Sequence, residues 1–500
     1  MQHVIGEDRN QFQIIALEQL VPENSWARVI DLFVDLLPLV DLGFKHSTLR
    51  NEGRPPYDPA MLLKLYLYGY KYSIRSSRKL EHSCKVNVEL WWLLKGLTPS
   101  FRTIAYFRKE NSNAFTSTFK RFVLMLKDLD LIEGETIAID SFKIFAQNSI
   151  RNNFTQKKID RHIDYIDKKV AEYEAQLNES DAAEDKANLK EKIELKLNRR
   201  KKYEELNKAL KDSGESQISL TDKDARALML ANNISGVGFN IQAAADAKNK
   251  LLVHSHIGGT IDKRELATVA LDVQELLKKE TFNTLSDAGY STGDQLSLCK
   301  DSGICTYSSP MPSTSPYGNC LPLSSFIYNN EENYYTCPSG ERMICGSGWI
   351  NRGHYKSKIY KTKACKNCQM REICTQNKGG RVIERSEFQD IIDENNRRVI
   401  ENPDYYKLRR ALIEHPFGTL KRQWGFTFTL MKGKKNVMSE VYILMIIYNL
   451  KRCLSIMGEN DFRVKIRSHY SHFLYYYTQF CCRYNSKNNS HYLKNILMRA

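Results

Sequence analysis

No stretch of this 500-residue chain is apolar for long enough to cross a bilayer. The longest apolar run near the end, Val441–Leu450, falls far short of the roughly 20 residues that a spanning helix needs. The first residues, MQHVIGEDRN, contain no apolar core of a secretory signal. Acidic charge is in short supply too: 58 Asp and Glu stand against 74 Lys and Arg, a net charge of +16 and a pI near 9.1. These shortages place the chain in the cytoplasm with no membrane partner, and its positive excess calls for a polyanion, by default nucleic acid. In that reducing compartment the 12 cysteines mean metal or core packing and exclude a disulfide framework. The length exceeds one ordinary core, so about two to four domains are expected.

What is present is organised around Glu135–Asn148, ETIAIDSFKIFAQN. The apolar run Thr136–Ile139 reads as a buried strand that ends at Asp140. A carboxylate at the edge of a core is costly unless a positive group meets it, and sites in open α/β sheets gather beyond the carboxyl ends of strands. A strand-end Asp can equally cap the following turn. Phe282–Ser291, FNTLSDAGYS, repeats the grammar, with Asp287 before a Gly-containing turn. Arg409–Lys421, RRALIEHPFGTLK, sets Glu414 in a helical context with Arg410 and Lys421 on the same face. Pro416 is expected to kink that helix or to start a new one. Three acids, widely spaced and each in such a context, suggest a two-metal centre for phosphodiester chemistry.

With Asp140, Asp287 and Glu414 in that order, and with AIDSFKIFAQN, GFNIQAAADAKNKLLV (Gly238–Val253), SDAGY and EHPFGTLKRQWGF around them, the sequence resembles the DDE transposases of bacterial insertion sequences. Within them it is similar to the branch with a cysteine-rich segment before the last carboxylate. The resemblance runs from about residue 50 to about residue 455. A related branch carries the signature Tyr-x2-Arg-x3-Glu-x6-Lys. Arg410, Glu414 and Lys421 match it, whereas Tyr406 is spaced to Arg409 and not to Arg410.

Taken along the chain, residues 1–130 read as helical. Trp26–Leu37 is amphipathic, and Tyr57–Tyr72 opens with Asp58 as N-cap and Pro59 at the first helical position. Ile74–Cys84 and Ser100–Glu110 form two shorter helices that carry Arg75, Arg78, Lys79, Arg102, Arg108 and Lys109. That is either a DNA-binding unit of helix-turn-helix character or a bundle with a solvated basic face. Ile159, Ile163, Ile166, Val170, Tyr173 and Leu177 make a heptad seam, and a return helix follows Glu179–Asp185, so residues 155–215 read as a helical hairpin. Gly238–Ala245 and Lys250–His256 form a strand hairpin, Lys263–Lys279 a helix, and Gly303–Ser308 a further strand. Asp222 and Asp224, in TDKDAR, lie in a loop before the hairpin and read as structural or DNA-facing.

Between Tyr317 and Val382 the composition turns to Gly, Ser, Cys and basic residues. Cys365-x2-Cys368 has the spacing with which two thiolates in a turn grip one Zn2+, and Cys337 and Cys374 would close a tetrahedral structural site, with Cys345 as substitute. Free thiols in a small loop domain are the other reading. Lys421 and Arg422 begin a basic approach after Glu414. The tail from Arg463 mixes Arg and Lys with Tyr470, Phe473, Tyr475, Tyr476, Tyr477 and Phe480, which suits base stacking or a packed terminal helix; Cys481 and Cys482 read as core or incidental.

The resemblance implies an α/β protein whose catalytic domain, residues 131–316 and 386–457, is ribonuclease H-like and carries the hairpin as an insertion. It further implies a helical DNA-binding domain over 1–130, a small cysteine-rich zinc-binding insertion over 317–385 and a basic aromatic tail over 458–500. Asp140, Asp287 and Glu414 would hold two Mg2+ or Mn2+ ions, Arg410 and Lys421 would steady phosphate charge, and Arg75, Arg78, Lys79, Arg102, Arg108, Lys109, Lys421 and Arg422 would touch DNA. The activity implied is binding of element ends, metal-dependent 3′-end cleavage and strand transfer into double-stranded target DNA by a homodimer in a synaptic complex at the bacterial nucleoid. The other readings are a transposase-derived DNA-binding protein without strand transfer, and a metal-dependent repair nuclease.

Overall fold

The computed structural model describes residues 10–469 apart from 12–13, 50–51, 53–54, 180–181, 230–233, 312–319 and 347. The aromatic and basic tail from Tyr470 onward, with Cys481 and Cys482, lies outside the described residues. Six helices come first: α1 (Trp26–Asp35), α2 (Pro59–Lys71), α3 (Ser77–Val86), α4 (Val88–Leu93), α5 (Phe101–Glu110) and α6 (Ser112–Asp128). Then follow β1 (Thr136–Phe145), β2 (Asn153–Thr155), α7 (Gln156–Glu179), α8 (Ala183–Ser213), β3 (Gln217–Ser219), β4 (Arg226–Met229), β5 (Ser235–Asp246) and β6 (Leu252–Ile257). After these come α9 (Leu266–Leu277), β7 (Phe282–Ser286), α10 (Gly293–Asp301) and β8 (Ile304–Ser308). The remainder is β9 (Ile327–Asn329), β10 (Tyr334–Thr336), β11 (Arg342–Cys345), β12 (Ile350–Asn351), β13 (Lys356–Lys361), α11 (Arg371–Cys374), β14 (Ile383–Ser386), α12 (Gln389–Glu401), α13 (Pro403–Phe417) and α14 (Lys434–Met457). The chain is thus mixed α/β with a helical N-terminal region. It divides into two compact units, Met1–Ser117 with Lys143–Ile241 and Lys421–Leu444, and Thr118–Phe142 with Gln242–Leu420 and Met445–Ala500.

In the first unit, helix starts follow the capping chemistry of the sequence. Asp58 Oδ1 accepts from Ala60 N at 2.8 Å and Ser25 Oγ from Ala27 N at 3.0 Å. Helix α2, apolar almost all round, is buried from Pro59 to Tyr70. Its one lysine within that stretch, Lys64, satisfies its charge on Asp31 and Asp35, each at 2.6 Å. Tyr66, Phe107 and Phe115 pack ring to ring around it. The heptad seam closes α7 on α8, with Ile159, Ile166, Tyr203 and Leu210 in its core. Asp222 and Asp224 receive the backbone N–H groups of Gly433 and Lys434 at 3.1 and 2.8 Å, and so brace the start of α14.

The main sheet has the order β4-β5-β1-β7-β8, with β6 also paired to β5. A Cβ at Gly238 would stand 2.1 Å from the Ile144 carbonyl oxygen, so the close approach of β5 there requires glycine. β7 runs parallel to β1 and β8 parallel to β7. Within the second unit α9 buries Leu266, Val269, Ala270 and Val273, and Asn449 of α14 closes both backbone bonds of Leu252. A second, antiparallel sheet, β12-β13-β11-β10-β9 with β14 on β13, forms inside the cysteine-rich region around Phe326, Tyr335, Met343, Tyr360 and Ile383.

Two local expectations are corrected. The first strand does not stop at Asp140; it runs through to Phe145, because Phe142 and Ile144 continue the buried alternation beyond it. The helix does not break at Pro416 either. It continues to Phe417, and a π-helical segment, Gly418–Gln423, follows. Among the described residues no single helix is long and apolar enough to cross a membrane.

Candidate active site

The second unit brings Asp140 and Asp287 together. β1 and β7 pair in parallel with Ala138 beside Leu285, and Asp140 and Asp287 each follow two residues on, near enough for the charge of Asp287 to act on Asp140. Asp287 leaves β7 at its carboxyl end and caps the next turn, accepting from Gly289 N at 2.9 Å. The capping reading of such an acid therefore holds for Asp287.

Asp140 is mostly buried, its Oδ1 accepting from Ser141 N at 2.7 Å and its Oδ2 from Arg409 Nη1 at 2.8 Å. Burial pushes its carboxyl up to about 6, and the charges of Asp287 and Asp262 push the same way against the pull of Ser141 N–H and Arg409. The site is thus short of positive charge. Asp262 was not among the expected residues. Gln242 Nε2 donates to its Oδ1 at 2.6 Å and Tyr290 donates from its hydroxyl to Gln242 Oε1. Tyr290 is fully buried, and its hydroxyl is raised well above its ordinary value by burial, then by Asp262 and Asp140. A Cβ on Gly289 would lie 3.0 Å from Asp287 Oδ1, so a larger residue there would press on that carboxylate. The signal for Asp262 was in the sequence: GGTID follows a strand with a Gly-containing turn, as DAGY does.

The helix α13 supplies the positive group, but not from the expected residue. Arg409, not Arg410, meets Asp140, while Arg410 is exposed to solvent. Tyr406 explains the choice: it donates to the Ser286 carbonyl at 3.1 Å beside β7 and also hydrogen-bonds Arg409. The tyrosine and the arginine are in register with each other, as the spacing indicated. Arg409 Nε is buried with no hydrogen-bond partner among the described residues. Glu414 lies exposed on the same helix, and Phe417, three residues on, packs on Phe142 with ring centroids 4.9 Å apart. The structure thus anchors the Glu414 turn to the strand of Asp140 without joining the two carboxylates. Lys421 follows in the π-helical segment, half-buried, its ammonium lowered by burial and then by Arg422.

Of the basic residues expected on DNA, Arg78, Lys79, Arg102, Lys109 and Arg422 are exposed. Arg75 and Arg108 are not, and this corrects the expectation. They are 7% and 4% exposed and flank Glu440, itself fully buried, at 3.8 and 3.7 Å. Arg75 also donates to the Phe428 carbonyl at 2.8 Å and Arg108 to the Tyr70 hydroxyl at 2.6 Å. A carboxylate at that depth needs both guanidinium groups.

Cys337, Cys365, Cys368 and Cys374 are free thiols lining one cavity, with Ser339 and Arg381. Gly340, at φ +82°, makes the tight turn after Cys337, donating from its N–H to the Cys337 carbonyl at 2.8 Å. Burial raises the Cys374 thiol, and the neighbouring Cys365, Cys337 and Cys368 add to it against Arg381. Cys345 sits elsewhere, beside Tyr360.

A mixed α/β protein with two acids at adjacent parallel strands is a candidate metal-dependent hydrolase or transferase by class. Residues 15–110 match the family described as Transposase domain (DUF772), and residues 336–454 the family described as Transposase DDE domain. The chain is a DDE transposase. The matched stretches leave Asp140, Asp262 and Asp287 between them, so these acids rest on the geometry above. No curated protein matches the chain. Among solved structures, the piggyBac transposase synaptic complex with hairpin DNA is similar at 10% identity over 94% of this chain and 84% of that one; its TM-score of 0.33 is too low to carry an argument.

Proposed function

We propose that this transposase cuts DNA at the ends of its own element and joins the freed ends to target DNA, using divalent ions held by Asp140, Asp287 and Glu414. The observation that carries the reading is the placement of Asp140 near Asp287, buried and short of positive charge. Carboxylate oxygens suit the hard ions Mg2+ and Mn2+, and a cation there would offset the burial, and then the neighbouring acids, that raise Asp140. When bound, two such ions supply an activated water and a stabilised leaving oxygen. Arg409 fixes the Asp140 carboxylate through Nη1. Tyr406 holds Arg409 in place, Gln242 and Tyr290 orient Asp262, and Lys421 and Arg410 add positive charge around the DNA backbone.

In the first step water attacks the phosphodiester at the element end and the 3′ oxygen leaves as a hydroxyl. In the second that hydroxyl attacks a target phosphodiester, forming one P–O bond as another breaks. The sheet order, with a strand hairpin on one side of β1 and parallel β7 and β8 on the other, supports a ribonuclease H-like catalytic domain. The exposed basic residues Arg78, Lys79, Arg102, Lys109 and Arg422 and the net charge of +16 support double-stranded DNA as the partner. Two copies would pair the two ends. The four thiols around one cavity support a structural Zn2+ at Cys337, Cys365, Cys368 and Cys374.

The test is incubation of the full chain with a duplex carrying its own element end and Mg2+ or Mn2+, beside Asp140→Asn. Cleavage at the element boundary that disappears in the variant is the expected result. Tight binding without cleavage in either metal would overturn it.

A further inference from the structure

The second unit holds another set of metal-ligating side chains. His254 and His256 are two residues apart on β6 and so leave it on one face, and Asp272 comes from α9. One ring nitrogen from each histidine and one Asp272 oxygen all lie within 4.8 Å of one another. His254 Nε2 is 3.2 Å from Asp272 Oδ2 and 3.3 Å from His256 Nδ1. Those spacings match the edge of a tetrahedron around a Zn2+ ion, about 3.3 Å for bonds of about 2.0–2.1 Å.

The support behind the ligands is also that of a metal site. His256 Nε2 meets Glu265 Oε2 at 2.8 Å, which fixes the ring with the Nδ1 lone pair turned toward His254. His254 is buried, so its ring is held in place by packing. Asp272 is half-exposed and leaves a fourth position open to water. Asp272 and Glu265 are the negative groups here, and Lys120 is the opposing positive one.

We propose that His254, His256 and Asp272 bind one divalent transition ion of the Zn2+, Co2+ or Ni2+ class. Two imidazoles and a carboxylate suit these borderline ions rather than Mg2+. Glu265 also accepts from Gly259 N at 2.6 Å, so the ion would tie β6 and α9 to the loop that carries Asp262. Without an ion, the same distances are met by the His254 Nε2–H shared between Asp272 and His256.

Titration of the metal-stripped full chain with Co2+, in an Asp140→Asn background, separates the two. Expected is one Co2+ without a thiolate charge-transfer band, retained in Cys365→Ser/Cys368→Ser. Its affinity should fall at least about tenfold in Asp272→Asn and in His256→Gln, for loss of one ligand. Thermal melts of both variants without metal verify their fold, and Asp272→Asn, at a half-exposed position, covers the failure of His256→Gln to fold. Cobalt bound only with the thiolate band, or bound equally well by both variants, would overturn the proposal.

Discussion

Arg409 donates to Asp140 across 2.8 Å and so joins α13 to β1, while its neighbour Arg410 is left in solvent. Arg409→Ala should lower element-end cleavage by roughly 100-fold, the scale of losing a preorganised donor, and Arg409→Lys should not restore it, because an ammonium lacks the planar fork. Arg410→Ala should cost far less. Initial cleavage rates of the three variants check this, and equal losses at 409 and 410 would remove the assignment.

Asp140 carries a folded-state value of about 6 against an ordinary 3.8, so its charge is penalised in the folded chain. The sign follows: the penalty is absent well below pH 3.8, grows as pH rises toward 6, and is complete above it. Asp140→Asn should therefore stabilise the fold at pH 7.5, by on the order of 3 kcal/mol at most for a rise of that size, and so raise Tm there while leaving it unchanged near pH 4. Mg2+ should raise the wild-type Tm at pH 7.5 through its preference for the folded state, and raise that of the variant much less. A variant that melts lower at pH 7.5 would contradict the crowding of negative charge.

Asp287 was legible in the sequence because a strand-end carboxylate before a glycine turn is a local pattern, whereas Asp140 showed only as an acid interrupting an apolar run, its strand continuing to Phe145. Arg409 was half legible, since Tyr406 was spaced to it, but the choice between two adjacent arginines depends on which helical face meets the sheet, and that is a tertiary fact. Asp262 carried only the local sign of GGTID after a strand, because its neighbours come from β5 and from the turn after β7. Arg75 and Arg108 misled for the same reason. Their charge is visible in sequence, but the buried Glu440 that claims it lies more than 300 residues away.

Asp262 should behave as a member of the acidic site and not as a surface acid. Asp262→Asn keeps the bond from Gln242 while removing one of the two charges that raise Asp140. The apparent pKa governing cleavage should then shift downward, and Mg2+ should bind more weakly, by roughly 10-fold as for loss of a supporting ligand. A pH–rate profile with the same acidic limb in wild type and variant would exclude Asp262 from the site.

DNA affinity should separate the exposed cations from the buried ones. Removing Arg78, Lys79, Arg102 or Lys109 singly should weaken binding to any duplex and lower the slope of log K against log salt by about 1 for each phosphate left without its cation. Glu440→Ala tests the buried set. It strands Arg75 and Arg108 and should cost about 3–5 kcal/mol of folding stability. A Glu440→Ala protein of wild-type Tm would show that the two arginines are held by other partners.

The thiol cavity makes a prediction about metal content. Thiols gathered around one cavity resist ionising together, as at Cys374, and Zn2+ reverses this by taking them as thiolates. The purified chain should therefore carry a thiol-bound Zn2+, removed by chelator with a fall in Tm and restored on readdition. Cys365→Ser/Cys368→Ser should lose that ion and melt at the chelated temperature. Cys345→Ser should retain it, because Cys345 packs beside Tyr360 and not on the cavity. Metal analysis beside thermal melts of the three proteins decides the matter: loss of zinc in Cys345→Ser would move the fourth ligand to β11, and a zinc content in the double variant equal to that of the wild type would take the ion away from these cysteines.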